Sequence, residues 1–296
     1  MSLTKEQIAE KFKEIQQSII KQLEECDGLG KFSYDVWERK QGGGGITRVI
    51  QNGSAFDKGG VNFSAVFGDT PEFLKKEYTE DNKAFYATGV SIVIHPHNPF
   101  VPIIHMNIRY FELNEEVWWF GGGIDLTPHY VNVKEVSYFH NELKKVCDKH
   151  DSFFYTKFSK WADEYFLIKH RGESRGIGGI FFDRLGIEGH TMMSKNKLFD
   201  FVCDIGNSFA PIYTKLVNDN RTVPFGAAEK AWQMLRRGRY VEFNLVYDKG
   251  TKFGLETDGR IESILMSLPR TASWEYDYHP EKGSQEEKTL EFLKKN

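Results

Sequence analysis

Three strand-like stretches follow one another with no helical segment between them: "ATGVSIVIHP", "IIHMNIRYFEL" and "EVWWFGGGIDL". Strands that succeed each other through short links pair as antiparallel neighbours, whereas a parallel arrangement needs a long crossover between each pair. Upstream, "QGGGGITRVIQNGSAFDKGGVNFSAVFG" alternates short extended pieces with Gly and Asn-Gly turns, which adds hairpin strands to the same sheet. "RYVEFNLVYD" and "RIESILMSLP" read as two further strands near the C-terminus. Helical periodicity marks residues 135–149, 155–169, 197–218 and 227–237. A first helix, 4–26, starts at a Thr4/Gln7 capping box and ends at Asp27-Gly28. The expected fold is α+β: a large, mainly antiparallel β-sheet flanked by α-helices on both faces. It forms one domain over 1–296, with a polar tail, 280–296, that frays.

Composition narrows the function classes. A net charge of −3 and a pI near 6.3 supply no basic field for nucleic acid, so any anion site must be built from local Arg and His side chains. The three cysteines, Cys26, Cys147 and Cys203, form no C-x-x-C pair and read as buried helix residues in a reducing compartment. No apolar run is long enough to span a bilayer, and the amphipathic, acid-containing N-terminus is unlike a targeting signal; the expected location is the cytoplasm. The glycine run Gly42–Gly45 lacks the G-K-[ST] of a phosphate loop, so its glycines read as turns.

Alternation on the strands sorts side chains by face. In "HMNIRY", His105, Asn107 and Arg109 share one face and Met106, Ile108 and Tyr110 the other; in "GVSIVIH", Ser91, Val93 and His95 group together. Paired antiparallel, these strands bring polar groups together. Three readings stand. The face is solvated, although it carries neither Lys nor Glu. It is a metal site, with His140 and His170 joining His95 and His105; here the cupin-like G-x5-H-x-H lacks its glutamate and Pro96 interrupts the strand. Or it is a substrate pocket, with Arg109 as a carboxylate donor, Asn107 as a fixed amide, His105 titrating, and Ser91 and His95 as neighbouring donors. Asp125, after "WWFGGG", is either a turn residue or the pocket's carboxylate, with glycines admitting a flat ligand and Trp118, Trp119 and Phe120 as walls.

"SIVIHPHNPFVPIIHMNIRYFE", "WWFGGGIDLTPHY", "HRGESRGIGGIFFD", "LRRGRYVEFNLVYDKGTKFGLET" and "GRIESILMSLP" together resemble the oxygen-dependent coproporphyrinogen III oxidases of haem biosynthesis, in order from Phe32 to Tyr278. The resemblance implies a homodimer whose interface includes 240–275, and oxidative decarboxylation of two propionates of coproporphyrinogen III to vinyls, giving protoporphyrinogen IX. Molecular oxygen is the co-substrate. No cofactor is expected, although a divalent metal on His95, His105, His140 and His170 has been considered for some members. By similarity, Ser91, His95, His105, Asn107 and Arg109 line the substrate pocket, with His105 the proton donor. Asp125 meets the pyrrole N–H groups, and Asp258, Gly259 and Arg260 bind substrate. The chain departs from the family pattern at Asp258, Ser273 and Arg184.

Oxygen reacts poorly with closed-shell molecules, so without a cofactor the substrate itself must be made electron-rich. The expected device is Asp125, its basicity raised by burial, drawing on a pyrrole N–H. Arg109, Arg260 and Arg175 are the candidate countercharges for the substrate's carboxylates.

Overall fold

Among the described residues, seven strands form one antiparallel sheet in the order β1-β2-β3-β4-β5-β6-β9: β1 (Asp35–Glu38), β2 (Gly43–Gln51), β3 (Phe56–Asp69), β4 (Ala84–Pro96), β5 (Ile103–Glu112), β6 (Trp118–Thr127) and β9 (Gly179–Leu185). Strands β7 (Leu167–Ile168) and β8 (Glu173–Ser174) make a separate two-stranded ribbon. The computed structural model describes residues 3–70, 84–114, 116–186, 193–256 and 259–294. The expected α+β class, with hairpin-linked neighbours in the middle of the chain, is what the pairing shows.

The register explains why this sheet has one dry face. Val61, Ile92, Met106, Ile124 and Ile180 lie directly opposite one another across β3, β4, β5, β6 and β9, and all five are fully buried. Helix α1 (Lys5–Asp27) and helix α4 (Lys195–Asn220) cover that face. Residues Ile8, Phe12, Ile15, Ile19 and Leu23 of α1 recur at helical spacing and are all buried, as the periodicity requires. Thr4 and Gln7 form the capping box, and Gly28 closes the helix in the left-handed conformation at φ 83°. Helices α2 (Val133–Asp148) and α3 (Phe154–Tyr165) pack toward β9.

The other face is covered only in part. Helix α5 (Ala227–Val246) brings Tyr240 against Val93 and Ile103. The short helix α7 (Ile261–Leu265) and the turn after it lie over β2 and β3. There Asn62 Nδ2 donates to Ser263 O at 2.9 Å and Lys58 Nζ to Leu268 O at 2.7 Å. Between them Ser91 stays exposed and Asn107 and Arg109 half-buried.

The structure corrects several expectations. "RYVEFNLVYD" is the second half of α5: Trp232, Leu235, Arg236, Tyr240, Phe243 and Asn244 are buried at helical spacing, so a helix already capped at Gly226 overrides the β-rich composition. "RIESILMSLP" supplies α7, and the helix α6 (Lys249–Glu256) precedes it. His170 lies in the turn after Ile168, beyond the end of α3. The tail forms helix α8 (Gln285–Leu293), capped by Ser284 and held by buried Thr289 and Leu293. Cys147 and Cys203 are buried helix residues as expected, whereas Cys26 is only half-buried.

Candidate active site

On the partly open face, the cross-strand partners Val93↔His105↔Asp125 and Ser91↔Asn107↔Gly123 put His105, Asn107 and Asp125 side by side, with Arg109 two residues along β5. His105 Nδ1 lies 2.8 Å from Asp125 Oδ1. The carboxylate is only 1% exposed and is gripped by Arg175, whose Nη2 donates to Oδ1 at 2.7 Å and whose Nε donates to Oδ2 at 3.2 Å. A fork of this kind is the strongest common partner for a carboxylate.

Arg175 is neither a surface ion pair nor a free anchor for substrate. Its guanidinium is wholly buried between the rings of Phe166, Phe243 and Tyr240, at 4.4, 4.6 and 4.9 Å, and its Nη1 donates to Asn244 Oδ1 at 2.8 Å. The electrostatics follow from this pairing. Burial pushes the Asp125 carboxyl upward, but the Arg175 charge and the His105 hydrogen bond outweigh it and hold the group below the usual aspartate range. Arg175, despite burial, is raised by the negative charge of Asp125. Burial therefore does not make Asp125 a stronger base, which overturns that expectation: the counter-ion beside it was not legible in the sequence.

Toward solvent the chain of contacts continues. Asn107 Nδ2 lies 3.4 Å from His105 Nε2, Arg109 Nη1 donates to Asn107 Oδ1, and Arg109 Nη2 donates to Asp183 Oδ1 at 2.9 Å. The Arg109 and Asp183 side chains are each about a third exposed. Gly121 makes this possible, because a Cβ there would sit 2.5 Å from Asp183 Oδ1 and 2.6 Å from Arg109 Nε. The triple glycine thus seats an ion pair, and Gly122 faces the opposite side against the Phe182 ring. Of the proposed aromatic walls, Phe120 is fully buried against Tyr110, and Trp119 is stacked on Phe111 at 4.3 Å. The rings nearest the acid come instead from α3's end and α5.

Other expected site residues are spread out. His95 is fully buried, donates through Nε2 to Ser267 O at 2.8 Å and meets the Tyr240 ring edge-on. Burial and Arg237 keep its pKa well below the ordinary histidine value. Arg260 pairs with Asp35 at 2.6 Å near the Trp37 ring, and Gly259 N donates to Gly254 O. Asp258 lies outside the described residues. The four histidines weighed as metal ligands are not gathered. His140 contacts Ile177 O and Tyr155 OH, and His170 contacts Glu242 and Tyr247 OH. Among the described residues no group of three or more His, Cys, Asp or Glu side chains is arranged to hold a metal.

Asp183, Asn244, Tyr240, Phe166 and Phe243 were missed. Their signal was weak: Asp183 ends "GGIFFD", and the others sit in segments whose facing partners only the fold supplies.

The sheet face carries a buried carboxylate hydrogen-bonded to a half-buried histidine beside a half-open arginine, the group types that proton transfer next to a carboxylated ligand requires. The coproporphyrinogen III oxidase family pattern matches residues 7–296, and the chain belongs to that family. It is 49% identical to the chloroplastic oxygen-dependent coproporphyrinogen-III oxidase of Glycine max, over 94% of this chain and 75% of that protein. It is 50% identical to the oxygen-dependent enzyme of Drosophila melanogaster, over 95% and 74%. With the mitochondrial enzyme of Homo sapiens it shares 51% identity, over 95% and 64%.

Proposed function

We propose that this chain is an oxygen-dependent coproporphyrinogen III oxidase of haem biosynthesis. It converts two propionates of the substrate to vinyl groups. For each side chain, one propionate, one oxygen molecule and one proton become one vinyl group, one carbon dioxide and one hydrogen peroxide. The observation that carries this reading is the continuous polar row Asp125, His105, Asn107 and Arg109 on one open sheet face, in a chain that matches the family along almost its whole length. A reduced pyrrole is electron-rich enough to react with oxygen once its N–H proton is drawn away.

Arg109 offers the accessible guanidinium for a substrate carboxylate, with Asp183 holding its position. Ser91 and Asn107 add polar contacts on the same face. Arg260, paired with Asp35 at the rim, is a second candidate for a peripheral carboxylate, with Asp258 and Gly259 preceding it in the sequence. No organic cofactor or metal is assigned to this chemistry, and oxygen is the co-substrate.

The active form in this reading is a homodimer. Support comes from the exposed apolar side chains within the expected interface, Leu245, Val246, Leu255, Ile261 and Trp274. No helix among the described residues is long and apolar enough to cross a membrane. The three free cysteines fit a reducing compartment, and the proposed one is the cytoplasm; relatives include chloroplastic and mitochondrial forms.

Anaerobic mixing with coproporphyrinogen, followed by oxygen, tests the reading, with product masses and metal content measured on the same sample. A product that has lost two carboxyl groups is expected. Recovery of unchanged substrate with oxygen unconsumed would sink the assignment, and turnover that disappears with removal of a metal would replace it with a metal-dependent one.

A further inference from the structure

The contacts around His105 favour one arrangement of protons. Arginine has no acceptor, so the Asn107 atom that meets Arg109 Nη1 is the amide oxygen, and the amide NH2 must point at His105 Nε2. On the other side of the ring, Asp125 Oδ1 already accepts from Arg175 Nη2 and lies 2.8 Å from His105 Nδ1, so Nδ1 carries a hydrogen and donates. The 3.4 Å between Arg175 Nη2 and His105 Nδ1 is the spacing of two donors that share one acceptor. The reverse tautomer would oppose a bare nitrogen to a carboxylate oxygen and an Nε2–H to an amide N–H. A doubly protonated ring meets the same opposition at Nε2.

We propose that His105 is a neutral imidazole whose Nε2 lone pair faces the open sheet face, and that it acts first as the proton acceptor of the reaction. This puts an acceptor step before the donor role that the family resemblance assigns to it, and it rests on the functional reading given above. Arg175 and Asn107 fix the tautomer from opposite sides, Arg175 through Asp125; Asn244 acts one contact further back by holding Arg175 Nη1. These are positioning residues. The charged and titratable groups around the ring are Asp125 on β6, Arg175 on the loop before β9, Arg109 on β5 and Asp183 on β9, with the Phe166 ring edge-on at 6.3 Å.

The proton balance is closed. Nε2 takes the pyrrole N–H proton, and the methylene carbon beside the ring gives a hydrogen with its electron pair to oxygen, which becomes hydroperoxide anion. The bond to the carboxylate then breaks and carbon dioxide leaves; the pair from that bond forms the vinyl double bond, while the exocyclic double bond returns its pair to the ring. His105 gives its proton back to the ring nitrogen, and a proton from solvent completes hydrogen peroxide. His105 is thus acceptor and then donor within one turnover.

The test is nitrogen NMR of the full-length protein labelled with 15N-histidine, with His105 assigned by the signals lost in His105→Gln. At neutral pH the expected spectrum has a hydrogen on Nδ1 and none on Nε2. Asn107→Asp, which puts an acceptor opposite Nε2, is expected to move a proton onto it. Arg175→Lys, which loses the fork on Asp125, is expected to mix the tautomers and lower kcat about tenfold or more with little change in KM. A wild-type Nε2 carrying a proton at neutral pH overturns the inference even if the protein turns over coproporphyrinogen. Absence of turnover with the expected tautomer would instead overturn the functional reading alone. In an active enzyme, His105→Gln should cost about 10²–10⁴ in kcat; a variant that keeps wild-type kcat would remove His105 from proton transfer.

Discussion

At the scale of single residues, the proposed reaction assigns chemistry to Asp125 and binding to Arg109. Asp125 shares its charge with a wholly buried guanidinium, and Asp125→Asn leaves Arg175 without its counter-ion in a box of aromatic rings. Loss of one partner from a buried pair costs about 3–5 kcal/mol, so thermal unfolding of Asp125→Asn should show a clear drop. Its kcat should fall by about 10²-fold or more as His105 loses its orientation. Arg109 is half-open, and in the proposed reaction it anchors a substrate carboxylate. Charged hydrogen bonds contribute about 1.5–3 kcal/mol, so Arg109→Ala should raise KM by roughly 10–100-fold with a smaller change in kcat. Steady-state kinetics on both variants decides the division of labour, and an unchanged KM in Arg109→Ala would end its role as a carboxylate anchor. Arg109, His105 and Asn107 could be picked out from alternation along one strand, and Asp125 only as either a turn residue or the pocket's carboxylate after the triple glycine. Arg175 could be named only as an unplaced countercharge, because its partner lies 50 residues away in sequence.

At the scale of elements, the joint between α1 and the β2–β3 turn has its own pH signature. Asp27, at the last turn of α1, accepts hydrogen bonds from the backbone N–H groups of Leu29, Gly30, Ser54, Ala55 and Phe56. Burial raises its carboxyl, but the N–H groups of Gly30, Ser54, Ala55 and Phe56 together outweigh it and hold the pKa below the usual value. A depressed acid contributes stability that is fully present above the unfolded-state pKa, about 3.9, and is lost as pH falls through the lower folded value. Asp27→Asn should therefore cost about 2 kcal/mol or more at neutral pH. Its difference from the wild type should shrink as pH falls below about 4; denaturant unfolding at several pH values checks this, and a gap that does not narrow would deny the linkage. In the sheet, Met106→Ala at the middle of the dry row should cost about 2–5 kcal/mol. That row was legible from period-two alternation. The second half of α5 was not, because "VEFNLV" carries strand composition and only its continuity with a capped upstream helix makes it helical.

At the scale of the whole molecule, the two faces of one sheet have different work. The face under α1 and α4 holds the core, and the opposite face is closed at its ends by α5 and α7 while its centre stays open. Coverage by α5 is what buries Asp125 and Arg175, so the site's electrostatics depend on a helix more than 50 residues downstream of the loop that bears Arg175. The exposed Leu245 and Val246 at the end of that helix sit at the proposed dimer contact. Val246→Lys, combined with Leu245→Asp, should shift sedimentation from dimer toward monomer; a wild-type protein that sediments as a monomer at micromolar concentration would remove the dimer from the proposal.

By itself the sequence determined the antiparallel order of the central strands, the polar row on one of their faces and the family, because alternation, turn residues and ordered motifs are local or colinear properties of the chain. Only the tertiary structure decided which charges meet. The Arg175 fork that keeps Asp125 ionised, the Asp183 contact seated over Gly121 and the burial of His95 under α5 depend on segments brought together from far apart, and electrostatic pairing is set by distance in space and by exclusion of water.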